Sequence, residues 1–93
     1  MPHAMNPKRA EILGLEALSW LAGEPDALDK FLAGSGISGA DLRDAAGSPD
    51  LAVALLDFLL ANETFLLAFC EASGSDAASL HRARHLLQPE AGI

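Results

Sequence analysis

The chain has no tyrosine, one tryptophan and one cysteine, and only 5% of its 93 residues are aromatic. β-Branched residues are few and no stretch alternates apolar with polar, which argues against sheet. A lone cysteine, Cys70, excludes an intrachain disulfide and a Cys-based zinc site, and it fits a reducing, cytoplasmic setting. Positive charge is scarce as well. Six Lys and Arg face 13 Asp and Glu, for a net charge of −7. Such a chain repels phosphate backbones, so general nucleic-acid binding is disfavoured. The N-terminus lacks the apolar run of a signal peptide. Leu51–Cys70 is the most apolar segment, but Asp57 sits at its centre and Asn62-Glu63 follow. A carboxylate at mid-membrane costs about 2.5–3.5 kcal/mol on insertion scales. The expectation is a buried helix followed by a break, not a membrane span.

What is present is Leu, Ala and punctuation. Apolar residues make up 51% of the chain, enough for the core of one domain over 1–93. Asn6-Pro7 starts a helix near 7–22, closed by Gly23. Glu24-Pro25 starts a second, to about Gly34, with Gly36 as a left-handed terminator. Ser38 caps a short third helix, paired with Asp41, and Gly47 ends it. Ser48-Pro49 opens a fourth, to about Ala61. Asn62 recaps the chain for a fifth ending at Gly74. Ser75 or Asp76 caps a sixth, which Gln88-Pro89 stops. The ordered core is expected over about 7–88, with flexible segments at 1–5 and 90–93.

The chain also echoes itself. A shift of 38 residues lays Leu28–Ala46 on Leu66–Arg84, with identities at seven of 19 positions, among them Phe31/Phe69, Ser35/Ser73, Gly36/Gly74 and Leu42/Leu80. Chance in so Ala- and Leu-rich a chain would supply about two. Each copy reads as helix, Gly-containing turn, helix. The expected fold is therefore all-α: a compact bundle of five to six short helices with a weak repeat of helix-turn-helix hairpins over about 24–47 and 62–87.

The helix faces differ. The sixth is amphipathic, with Leu80, Ala83 and Leu87 on one side and His81, Arg82 and His85 away from it. The fourth is apolar nearly all round, so it is either buried centrally or lies partly at a subunit interface. Its Asp57 sits at a wet edge or pairs with a cation such as Arg43 or Arg9. On the first helix, Leu13, Ala17, Trp20 and Leu21 form one stripe, and Ile12, Leu15 and Leu18 flank it.

Several segments together resemble a known family. They are Leu15–Ala22, Glu24-Pro25, Phe31-Leu32, Ser35–Ile37, Asp41–Arg43, Leu55–Leu60 and Ala83–Leu87. Over roughly 10–88 the chain resembles small bacterial proteins catalogued as a domain of unknown function, DUF3572. The resemblance implies a small all-helical protein. It supplies no activity, ligand or catalytic residue.

Candidate chemistry is sparse. His81 and His85 are four apart on a helix and share a face, a spacing that can chelate a metal. No third ligand is near in sequence, and Arg82 and Arg84 oppose a cation, so a solvated basic face at the helix C-terminus is the simpler reading. Helices five and six have the shape of a helix-turn-helix, in which His81, Arg82, Arg84 and His85 would meet phosphates or base edges. The matching first copy offers Asp41, Arg43 and Asp44 instead, a net negative surface. Ala33–Ile37 is better explained as a helix terminator than as a phosphate loop. Cys70 reads as a small core residue. No phosphate loop, dinucleotide fingerprint, nucleophile elbow or metalloprotease motif is present. The expectation is a non-enzymatic protein without cofactors. It would act as a protein-protein interaction or regulatory module on a partner protein or as a homo-oligomer, with Ile12, Leu15 and Trp20 as exposed contacts. Nucleic-acid binding through helices five and six is the alternative.

Overall fold

Proline and short polar side chains start the helices as the sequence predicts. The computed structural model describes residues 6–87. These form α1 (Pro7–Ala22), α2 (Pro25–Ser35), α3 (Gly39–Asp44), α4 (Pro49–Ala61), α5 (Glu63–Ser73) and α6 (Ala77–Leu87), with no strand among the described residues. The segments expected to be flexible, 1–5 and 90–93, lie outside the described residues. Asn6 Oδ1 accepts from the Arg9 N–H at 2.9 Å, and Ser48 Oγ accepts from the Leu51 N–H at 3.1 Å. Each satisfies one backbone donor that the first helical turn leaves without a partner.

Two details differ from the sequence reading, and one alternative it left open, the α6 cap, is decided. Asn62 does not cap α5 with its side chain. Its amide donates to the Phe58 carbonyl at 2.7 Å and closes α4 instead. Asp76, not Ser75, caps α6: its Oδ1 accepts from the Ser79 N–H at 2.8 Å. The third helix stops at Asp44, before Gly47, whose φ of +88° serves the turn that follows.

α1, α4 and α6 pack on one another and form the centre. α2 leans on α1, α5 lies against α4 and α1, and α3 touches the other helices sparsely. Leu51, Ala52, Leu55, Leu56 and Leu59 of α4 are buried, so α4 is the central helix and not a bare interface. α1 and α4 cross at very short range. A Cβ added to Gly14 would stand 2.6 Å from the Ala52 Cβ, so only glycine allows this approach. Ala10, Leu13, Ala17 and Leu21 of α1, with Leu80 and Ala83 of α6, complete the inner layer.

The few aromatic side chains form one row. Phe31 meets Phe58 edge-on at 5.4 Å, Phe58 stacks on Phe65 at 5.8 Å, and Trp20 meets Phe65 and Phe69 edge-on at 6.3 and 5.9 Å. The row takes in all four Phe and the single Trp of the chain. It joins α2, α4, α5 and α1, and such pairs add about 0.5–1.5 kcal/mol each beyond burial.

The hairpin echo is real at the level of hydrogen bonds. Gly36 and Gly74 end α2 and α5 in left-handed conformation, with φ of +74° and +77°. Their N–H groups donate to the carbonyls of Leu32 and Cys70. Ser35 Oγ accepts from the Ile37 N–H, and Ser73 Oγ accepts from the Ser75 N–H. Ser38 and Asp76 then cap the next helix in the same way, on the N–H groups of Asp41 and Ser79.

Candidate functional site

α1 turns its two sides to different surroundings. Leu13, Ala17 and Leu21 face the core, while Ile12 and Leu15 stand 44% and 47% exposed, one turn apart on the outer side. Both therefore sit where a partner can reach them. Leu15 and Leu18 border a narrow crevice against Leu51 and Leu55 of α4. Leu18 also borders a second hollow, a groove of about 340 Å³ between α1, α2 and α3. Ala22, Leu28, Leu32 and Leu42 line this groove, and Arg43 stands at its edge. Through Leu18 the Leu15 side of α1 runs into the groove, giving one apolar surface built on α1, α2 and α3, while Ile12 borders a separate hollow with Arg9 and Glu16. The groove exists because α3 is short and makes sparse contact with its neighbours.

Trp20 departs from the expectation of an exposed contact. It lies 80° round the helix from Ile12 at 100° per residue, and it is half-buried against Phe65 and Phe69. It belongs to a different surface from Ile12 and Leu15. Its uncovered part borders a cleft of about 420 Å³ with Glu16, Ser19, Phe69, Ala72 and Ser73.

The expected basic face of α6 is split. His81, Arg82 and His85 are exposed and, with exposed Leu86, border one shallow hollow. Arg84 is absent from it. Its Nε donates to Asp57 Oδ1 of α4 at 2.5 Å, with Arg84 27% and Asp57 53% exposed. Asp57 therefore lies at the wet edge of α4 and is also paired. Its partner is Arg84, not Arg43 or Arg9, because α6 rather than α3 or the start of α1 passes that edge. Arg84 Nη1 is buried without a hydrogen-bond partner among the described residues, so the pair is made through one nitrogen. Among the described residues no His, Cys, Asp or Glu joins His81 and His85 in a group of three able to hold a metal ion.

Cys70 is half-buried on α5. Burial first, and the nearby Asp76 carboxylate second, push its thiol above the ordinary range. A raised thiol carries little thiolate at neutral pH, so it is a poor nucleophile. No single described helix is long and apolar enough to cross a membrane, and α4 and α5 meet at a bend of 114°.

The DUF3572 family model, a protein of unknown function, matches residues 7–90. The chain belongs to DUF3572. The match spans all six helices, so the whole bundle is the DUF3572 unit and no helix is an appendage to it. No curated protein and no solved structure matches the chain.

Of the surfaces described, the sequence reading missed the cleft beside Trp20 and the three-helix groove. The groove's lining residues are ordinary amphipathic positions on α1, α2 and α3. The available signal was the stop at Gly47-Ser48-Pro49, which makes α3 too short to fill the space that α6 fills in the other hairpin.

Proposed function

We propose that this DUF3572 protein is a non-catalytic protein-interaction module. It receives apolar side chains of a partner protein on the outer face of α1 and in the adjoining groove. The observation that carries this reading is the continuity, through Leu18, of exposed Leu15 with the groove lined by Leu28, Leu32 and Leu42; Ile12 is exposed one turn from Leu15. Continuous exposed apolar surface on a small protein marks an interaction site more often than single exposed leucines do. The net charge of −7 favours a partner of opposite charge over a second copy of the same chain. Nucleic-acid binding through α5 and α6 keeps less support, since Arg84 is held by Asp57 and only His81, Arg82 and His85 remain on that face.

The test compares proteins captured by the native chain with those captured by Leu15→Asp and Leu32→Asp variants, each first shown by circular dichroism to be folded. A partner lost with both substitutions and retained by Arg82→Ala supports the reading. Capture insensitive to Leu15 and Leu32 overturns it, and loss confined to Arg82→Ala moves the function to α6. Sedimentation at micromolar concentration separates a second copy from a foreign partner.

A further inference from the structure

The cleft beside Trp20 has a different chemistry from the groove and lies on another side of α1. Its walls are one indole, one phenyl ring, one carboxylate and two hydroxyls: Trp20, Phe69, Glu16, Ser19 and Ser73, with Ala72 leaving the floor open. Glu16 and Trp20 are four apart on α1, so they stand one above the other on the same face. Phe65 and Phe69 hold the indole in place by edge contacts, which leaves it rigid as well as partly uncovered. Glu16 makes no ion pair among the described residues. The basic side chain nearest along this side of α1, Arg9, borders the neighbouring hollow with Glu16 but does not bridge to it.

An aromatic face beside an uncompensated carboxylate is the arrangement that recognises an organic cation. The indole attracts positive charge through its quadrupole, best among the aromatic side chains, and the carboxylate supplies direct charge. The hydroxyls of Ser19 and Ser73 accept from N–H donors at the rim. The overall charge of −7 raises the local concentration of cations. At about 420 Å³ the cleft has room for a small head group or one side chain.

We infer that the Glu16–Trp20 cleft is a binding site for an alkylammonium or guanidinium group, either of a free amine or of a basic side chain. Trp20 supplies the aromatic face, Glu16 the counter-charge and Ser19 and Ser73 the orienting acceptors. The site is independent of the apolar groove. It stands whether or not a partner protein occupies Leu15 and Leu32.

Trp20 is the single tryptophan, so its emission reports this cleft alone. The experiment titrates the native chain with tetramethylammonium, n-butylammonium and a capped Gly-Arg-Gly tripeptide, at constant ionic strength held with sodium chloride. 1-Butanol, the neutral isostere of n-butylammonium, is the control. The expected result is a saturable change in Trp20 emission with the cations and none with the alcohol. Glu16→Gln, a surface change, weakens binding about two- to fivefold. Ala72→Leu, which fills the floor from an exposed position, abolishes it. Tighter binding of the tripeptide than of n-butylammonium assigns the cation to a basic side chain, and the reverse order assigns it to a free amine. No saturable change, an equal response to the alcohol, or unchanged affinity in Glu16→Gln overturns the inference.

Discussion

The α2–α3 and α5–α6 hairpins share their main turn and capping hydrogen bonds yet end in opposite surroundings. Each has a left-handed glycine, a serine hydroxyl holding the N–H two residues on, and a capping oxygen three residues before its donor. α6 then continues for 11 residues against α1 and α4, whereas α3 stops after six and leaves a groove. The 38-residue register explains the split. Ala46 stands where the second copy has Arg84, and Gly47 where it has His85. Arg84 ties α6 to Asp57 of α4, and His85 lets the helix go on. Turn chemistry is thus local and repeats readily. Burial depends on how far the following helix runs and on what it reaches.

The largest expected break in this comparison comes from the paired leucines. Leu80 is fully buried and Leu42 is 9% exposed at the groove. Leu80→Ala should cost about 2–5 kcal/mol in urea unfolding. Leu42→Ala should cost less than half as much, because its removal widens a hollow already open to solvent. Equal losses would mean that α3 is as much core as α6. Next in size, Gly36→Ala and Gly74→Ala should each cost about 1–2 kcal/mol, since both force a side chain into the left-handed region. Here the hairpins should agree, and thermal melts of the two variants would show it.

Arg84→Ala should cost about 0.2–1 kcal/mol, and the loss should shrink in high salt. Introducing arginine at Ala46 should gain nothing, because α3 does not pass Asp57. The smallest effect is one of pH. Asp76 is held below the ordinary carboxylate value, first by the backbone N–H and then by the side chain of Ser79. A carboxylate lowered by folding stabilises the folded state above its unfolded value, near 3.8, and that help is lost as pH falls through the lower folded value. The α6 cap should therefore weaken on acidification below about pH 4. The equivalent Ser38 cap carries no charge and should not respond. Asp76→Ser should remove this part of the acid sensitivity, measured as the melting temperature between pH 5 and pH 2.

Much of the fold was legible because its signals are local. Asn6-Pro7, Ser48-Pro49, Gly36 and Gly74 act on neighbouring backbone groups, so their spacing is their structure. The exposure of Ile12 and Leu15 followed from helical periodicity on a helix with one core stripe. The partner of Asp57 was not legible. Arg84 lies 27 residues away, and choosing it over Arg43 or Arg9 needs the crossing of α6 on α4. Trp20 was misjudged for the same reason, since only the approach of α5 decides that Phe65 and Phe69 cover it. Asn62 offered two equally local roles, ending α4 or starting α5, and spacing alone does not rank them.

Because Gly14 of α1 crosses Ala52 of α4, the order of synthesis runs against the order of packing. α1 is made before its main partners, α4 and α6, and is separated from both by α2 and α3. Until α4 and α6 are both made, the core stripe of Leu13, Ala17 and Leu21 lacks the full surface that buries it, on the same helix as exposed Ile12 and Leu15. The core closes when α6 packs against both α1 and α4, so a stop codon before Leu80 should leave an aggregating fragment rather than a smaller bundle.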